Sequence, residues 1–106
     1  MIDAKVNLYL HADDIDPPIS ITARKRIKLA RCPEEGESIC FTGRIGESLM
    51  EVEYVELCDD GSLNIGIDKI TFARCMEEYL EELLPESGFT IECSDSDREA
   101  ILNAKA

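Results

Sequence analysis

Lys5-Val6-Asn7-Leu8-Tyr9-Leu10-His11-Ala12 and, after one break, Ile19-Ser20-Ile21-Thr22-Ala23-Arg24-Lys25-Arg26-Ile27-Lys28-Leu29 are the runs that decide the fold class. In the first, Val6, Leu8, Leu10 and Ala12 share one parity, and Lys5, Asn7, Tyr9 and His11 share the other. A period of two places alternate side chains on opposite faces of a strand, so this run reads as half-buried β structure. In the second, Ile19, Ile21, Ala23, Ile27 and Leu29 alternate with Ser20, Thr22, Arg24, Arg26 and Lys28. Lys25 falls on the apolar parity, so a bend or bulge is expected there. Between the runs, Asp13-Asp14-Ile15-Asp16-Pro17-Pro18 combines poor strand formers with good loop formers.

Further along, Pro33-Glu34-Glu35-Gly36 has the composition of a turn. A short strand is expected from Glu37 to Thr42 around Ile39 and Phe41, with a turn bracketed by Gly43 and Gly46. Met50 to Cys58 reads as another strand. Its apolar parity changes between Val52/Tyr54 and Val55/Leu57, which predicts a bulge near Tyr54. Asp59-Asp60-Gly61-Ser62 is a hairpin signal, and Leu63, Ile65 and Ile67 supply the returning strand. From Phe72 the period changes. Phe72, Cys75, Met76, Tyr79, Leu80, Leu83 and Leu84 form an apolar stripe at helical spacing, with Thr71 as the expected cap and Pro85 and Gly88 as stop signals. Phe89, Ile91 and Cys93 suggest a last short strand. Ser96 and Glu99 have capping-box spacing, so a terminal helix is expected over Asp97–Ala104.

These elements define one α+β domain over residues 1–106. The expected architecture is a mainly antiparallel curved sheet or small open barrel of about five to six strands. One long amphipathic helix packs on it, and a short C-terminal helix follows. With 44% hydrophobic, 32% charged and 6% aromatic residues, and no Trp, the chain is globular in composition with an aliphatic core. Five cysteines, Cys32, Cys40, Cys58, Cys75 and Cys93, form neither a CxxC pair nor a disulfide framework. Cys40, Cys58 and Cys75 lie in apolar contexts, so buried thiols in a reducing compartment are expected. No basic, apolar leader and no run of about 20 apolar residues is present, which points to the cytoplasm and away from a membrane.

Charge is the most informative property. The chain has 11 basic and 23 acidic residues, a formal net charge of −12. Yet residues 19–31 carry Arg24, Lys25, Arg26, Lys28 and Arg31 and no acid. This stripe is expected to be solvated or to pair across strands with acidic residues such as Glu51, Glu53 and Glu56. The counterpart is the helix, whose polar face carries Glu77, Glu78, Glu81 and Glu82 with only Arg74 to balance them. Glu77/Glu81 and Glu78/Glu82 are like-charge i,i+4 pairs, each costing roughly 0.2–0.5 kcal/mol. Glu81 and Glu82 also lie near the helix C-terminus, where negative charge is unfavourable. Asp13, Asp14 and Asp16 form a second acidic group.

No catalytic signature is present, and no cofactor is implied. The acidic loops lack the spacing of an EF-hand, so no metal site is assigned. His11 is the sole histidine, with Asp13 two residues on as the nearest carboxylate in sequence. Pro33-x-x-Gly36-Glu37-x-Ile39, a turn and the Met50–Leu57 strand together resemble small sheet-rich prokaryotic or phage proteins, a likeness that implies no particular activity. The expectation is a non-enzymatic binding or inhibitory module that uses Glu77, Glu78, Glu81 and Glu82, then Asp13, Asp14 and Asp16, against a basic protein surface. The alternative is a structural, homo-oligomerising domain with no charge-directed partner. Direct binding of nucleic acid is not expected at this net charge.

Overall fold

The computed structural model describes residues 1–39 and 50–105, with nothing said of the side chains of residues 104 and 105. Five strands form one open sheet: β1 (Ile2–Ala12), β2 (Ile19–Leu29), β3 (Val52–Leu57), β4 (Leu63–Ile70) and β5 (Thr90–Glu92), in the order β3-β4-β1-β2-β5. A helical segment, α1 (residues 73–86), joins β4 to β5, and a terminal helix, α2 (Asp95–Lys105), follows. The sheet is mixed. β1 pairs antiparallel with β2 but parallel with β4. Three of the four pairings are antiparallel, as expected, and the one parallel pairing arises because the β3–β4 hairpin docks on β1 rather than continuing the meander from β2.

The two defining runs form as expected. Ala4, Val6, Leu8, Leu10 and Ala12 of β1 and Ile19, Ile21 and Ala23 of β2 are each at most 3% exposed. They join Leu63, Ile65 and Ile67 of β4 and Ala73, Met76, Leu80, Leu84 and Ile101 of the helices in one core. Each large side chain buried there contributes about 1.5–3 kcal/mol. The expected bulge at Lys25 is absent: β1 and β2 stay in register from Ile2↔Leu29 to Ala12↔Ile19. Lys25 remains on the helix face. Its Nζ donates to the Ser87 carbonyl at the end of α1 and lies 5.9 Å from the centroid of the Phe89 ring.

The bulge near Tyr54 is present, with a register shift between Val52 and Tyr54 against β4. Its physical reason is Gly66. A Cβ there would lie 1.9 Å from Tyr54 Cε1 and 2.3 Å from Cζ, so the tyrosine ring occupies the space that any side chain at 66 would need. Between β3 and β4 the chain turns through Gly61 at φ 85, with Cys58 N–H donating to the Ser62 carbonyl and Gly61 N–H to the Cys58 carbonyl. Asp60 accepts from the Ser62 N–H and hydroxyl at 3.0 and 2.6 Å, which holds its carboxyl below the ordinary range. At Pro33–Gly36 the expected turn forms, with Gly36 at φ 85. Ile39 N–H donates to Met50 and Ser38 bridges Glu51. Phe41, the turn at Gly43 and Gly46, and Cys40 lie outside the described residues.

One long regular helix is not what residues 73–86 form. The segment begins as a 3-10 turn (Ala73–Cys75), becomes α-helical (Met76–Glu78), widens to a π-turn (Tyr79–Leu83) and closes as a last α-turn (Leu84–Glu86). Pro85 lies inside it. Its ring has no N–H and crowds the carbonyl four residues back. The wide turn just ahead of it, in which Leu84 N–H reaches back to Tyr79, opens that space. Gly88, at φ 83, then ends the segment: its N–H donates to Pro85 and that of Phe89 to Leu84, both at 3.0 Å, the paired bonds of a Schellman stop. The terminal helix starts earlier than expected. Ser94, rather than Ser96, receives the Asp97 N–H at 3.2 Å.

Gly66→Ala is expected to destabilise the fold by about 1–3 kcal/mol, since the methyl displaces the Tyr54 ring. Thermal unfolding checks this. Combining it with Tyr54→Ala should cost less than the sum of the two single changes.

Candidate functional site

The sheet sorts the charged residues by face. Even-numbered residues of β1 and odd-numbered residues of β2 face the helices, so Arg24, Arg26 and Lys28 project from the opposite, open face with Lys5, Asn7, Tyr9 and His11. Helix α1 lies on the core side. Its buried stripe of Ala73, Met76, Tyr79, Leu80 and Leu84 turns Arg74, Glu78, Glu81 and Glu82 outward, with Glu77 half-buried at the margin. Arg74 and the four glutamates line a shallow hollow of about 190 Å³. The predicted acidic group is therefore one surface feature. Arg74 is also 5.1 Å from the exposed Phe72 ring.

The second acidic group is brought to the same helix. Asp14 accepts a 2.9 Å hydrogen bond from the Ala73 N–H, at the start of the segment. Thr71, the expected cap, does not do this. The capping residue is Phe72, which has no side-chain cap bond, and the carboxylate arrives from the β1–β2 loop. An anion at that end also meets the positive pole of the helix. Asp14 thus acts as a long-range cap, while Asp13 and Asp16 are exposed beside it. Nothing in the local sequence signalled this contact, because its partners are far apart in the chain.

Arg24, Arg26 and Lys28 are exposed, and the cross-strand partners are not Glu51, Glu53 and Glu56. Glu51, Glu53 and Glu56 belong to or adjoin β3, and β4 and β1 intervene between β3 and β2. Arg24 pairs instead with Glu92 of β5, and Lys28 with Asp3 of β1 at 3.5 Å. Arg31 makes a bidentate bond with Glu37, 2.8 Å at each oxygen, which holds the Glu37 carboxyl below its ordinary range.

His11 meets residues the sequence did not associate with it. Its Nδ1 is 2.9 Å from Ser20 Oγ, and its Nε2 is 3.6 Å from Asp68 Oδ1. Asp13, beyond the end of β1, is not the carboxylate involved. Ser20 is directly opposite His11 in register, and Asp68 sits diagonally, so ordinary cross-strand spacing accounts for the row. The backbone at His11 is paired with both β2 and β4, and its carbonyl accepts from the Thr71 N–H at 2.8 Å. Nearby, the Tyr9 and Tyr54 hydroxyls share a 3.0 Å hydrogen bond, and Asn7 donates to Asn64 at 2.7 Å. Partial burial, then the bond to Tyr9, pushes the Tyr54 phenol up to about 12. Tyr9 stands next to the basic stripe through the β1–β2 pairing, a neighbourhood that linear spacing did not reveal.

Among the described residues, no three histidine, cysteine, aspartate or glutamate side chains gather to hold a metal ion, and no helix is long and apolar enough to cross a membrane. The cysteine expectation is corrected: Cys32 and Cys58 are exposed, and Cys75 and Cys93 only partly covered. Cys58 lies at the mouth of the β3–β4 hairpin, where the chain leaves the core. Neither a family model, nor a curated protein, nor a solved structure matches this chain.

Two measurements check this geometry. Asp14→Ala should cost about 0.5–2 kcal/mol of stability, as removal of a helix cap does, read by denaturant unfolding at neutral pH. In an ultraviolet titration, one tyrosine should ionise near pH 12, and Tyr9→Phe should bring that transition down. The sign follows from the raised folded value. The folded state favours the neutral phenol, so its stabilising contribution is complete below about pH 10 and is lost as pH rises toward 12.

Proposed function

We propose that this chain is a non-enzymatic binding module that recognises a basic macromolecular surface through the ridge formed by Glu77, Glu78, Glu81 and Glu82. Asp13 and Asp16 extend the surface at the helix start, and Asp14 holds the loop in place. The observation that carries this reading is the separation of charge by the sheet. The outward cations of β2 lie on the face opposite α1, and the ion pairs of Arg24 and Lys28 are made with Glu92 and Asp3. The one cation of β2 on the helix side between Arg24 and Lys28, Lys25, is directed to the Ser87 carbonyl. An acidic ridge held this way gives long-range steering toward a cationic partner and short-range complementarity on contact.

A second reading is a homo-oligomerising structural domain. It is favoured by the exposure of Leu57 at 76%, Ile70 at 72% and Phe72 at 56%, large apolar side chains at the ends of β3 and β4. Sedimentation separates the two readings, because a dimer indifferent to salt supports the second.

The test of the first reading uses a decalysine peptide as the basic probe. Reversal of all four glutamates to lysine should weaken binding by about 0.5–1 kcal/mol per charge, roughly 30-fold or more in total. The wild-type affinity should fall steeply with added salt. Equal affinity of both proteins, or a flat salt dependence, removes the reading.

A further inference from the structure

The outer edge of β2 carries a second surface, distinct from the acidic ridge. β5 covers β2 only from Thr22 to Arg24, and among the described residues no strand lies beside Arg26–Leu29. An edge left this way presents backbone N–H and C=O groups that a further strand can pair. The side chains there are sorted by face. Arg26 and Lys28 project from the open face, with Lys5 of β1 directly opposite Arg26. Ile27 and Leu29, on the helix face, are only half-buried, whereas Ile19, Ile21 and Ala23 on the same face are at most 2% exposed. Two hollows, of about 410 and 340 Å³, meet at Lys5 and Arg26.

Lys5 opposite Arg26 is a like-charge cross-strand pair, an arrangement that costs stability. It occurs in a chain with 23 acidic residues, yet among the described residues neither cation makes an ion pair. The adjacent strand shows what this edge accepts. β5 pairs antiparallel, places Glu92 opposite Thr22 where it ion-pairs diagonally with Arg24, and packs Ile91, the residue between Thr90 and Glu92, against the apolar core.

We propose that the Arg26–Leu29 edge of β2 receives an added strand from a partner protein, an extended segment with carboxylates at alternate positions and apolar residues between them. The carboxylates face Arg26, Lys28 and Lys5, and the apolar residues cover Ile27 and Leu29. Alternate residues on either strand repeat about every 6.8 Å, so the two charge patterns match in period. Cations on a strand edge ordinarily discourage pairing; here they reject neutral and basic strands and admit an acidic one. A polynucleotide fits this edge less well. It brings no backbone groups to complete the ladder, and the net charge of −12 repels a uniform polyanion.

The experiment is a titration of the full ¹⁵N-labelled chain with a blocked octapeptide alternating glutamate and valine. Saturable binding is expected, with shift changes and slowed amide exchange centred on residues 24–29. The R26E/K28E protein, its fold checked by an undisturbed amide spectrum elsewhere, should bind at least 10-fold more weakly and should gain affinity for a lysine–valine octapeptide. No saturation at millimolar peptide overturns the proposal. So does equal binding of an octapeptide with its glutamates in one block, equal binding of oligothymidylate, or failure of the charge-swapped pair to bind.

Discussion

The alternation of β1 and β2, locked in one register along their whole length, is the constraint from which the rest follows. Burial of Val6, Leu8, Leu10, Ile19 and Ile21 against the helices commits the intervening residues to the other face. A slip of one residue would turn lysines and arginines into the core, at a cost no pairing in this chain could offset. Arg24, Arg26 and Lys28 are therefore held on the face opposite α1, while Lys25, on the helix face, is directed to the Ser87 carbonyl. The glutamates of α1, whose own buried stripe fixes its rotation, are held on the far side. Separation of Arg24, Arg26 and Lys28 from the glutamates of α1 is thus a consequence of packing on opposite faces of the sheet.

Helix α1 shows how a locally awkward sequence is stabilised from outside. Its propensity pattern includes an internal proline, like-charge neighbours and no local cap. Asp14 supplies the start from the β1–β2 loop, Lys25 reaches the closing carbonyl from β2, and the turn at Gly88 satisfies the last backbone groups. The wide turn at Tyr79–Leu83 relieves the proline while keeping Tyr79, Leu80 and Leu84 in the core. The acidic surface is consequently carried on a segment tied to the rest of the fold by two long-range contacts, from Asp14 and from Lys25.

Much of this was legible in the residues, because period-two and helical stripes are local properties. Both long strands, the hairpin at Asp59–Ser62, the bulge before Tyr54 and the terminal helix could be read from them. What could not be read was which elements become neighbours. The parallel pairing of β1 with β4 depends on the path of the chain between distant segments. The pairing assumed between Glu51, Glu53 and Glu56 and the basic stripe failed for that reason. The same limit hid Ser20 and Asp68 beside His11, Tyr54 against Tyr9, and Tyr9 beside the cations. Cys58 was misjudged because its apolar neighbour Leu57 is itself exposed at the end of an edge strand. The helix was over-regularised because Pro85 reads as a stop, whereas a π-turn lets it stay inside.

The most direct test of charge separation is residue-resolved paramagnetic relaxation of backbone amides by small cationic and anionic nitroxides at low salt. The sheet-divided arrangement predicts enhancement by the cationic probe at residues 74–82 and by the anionic probe at residues 24–28. Uniform preference for the cationic probe at both places would mean that the acidic field covers the whole molecule, and the two-faced description would be wrong.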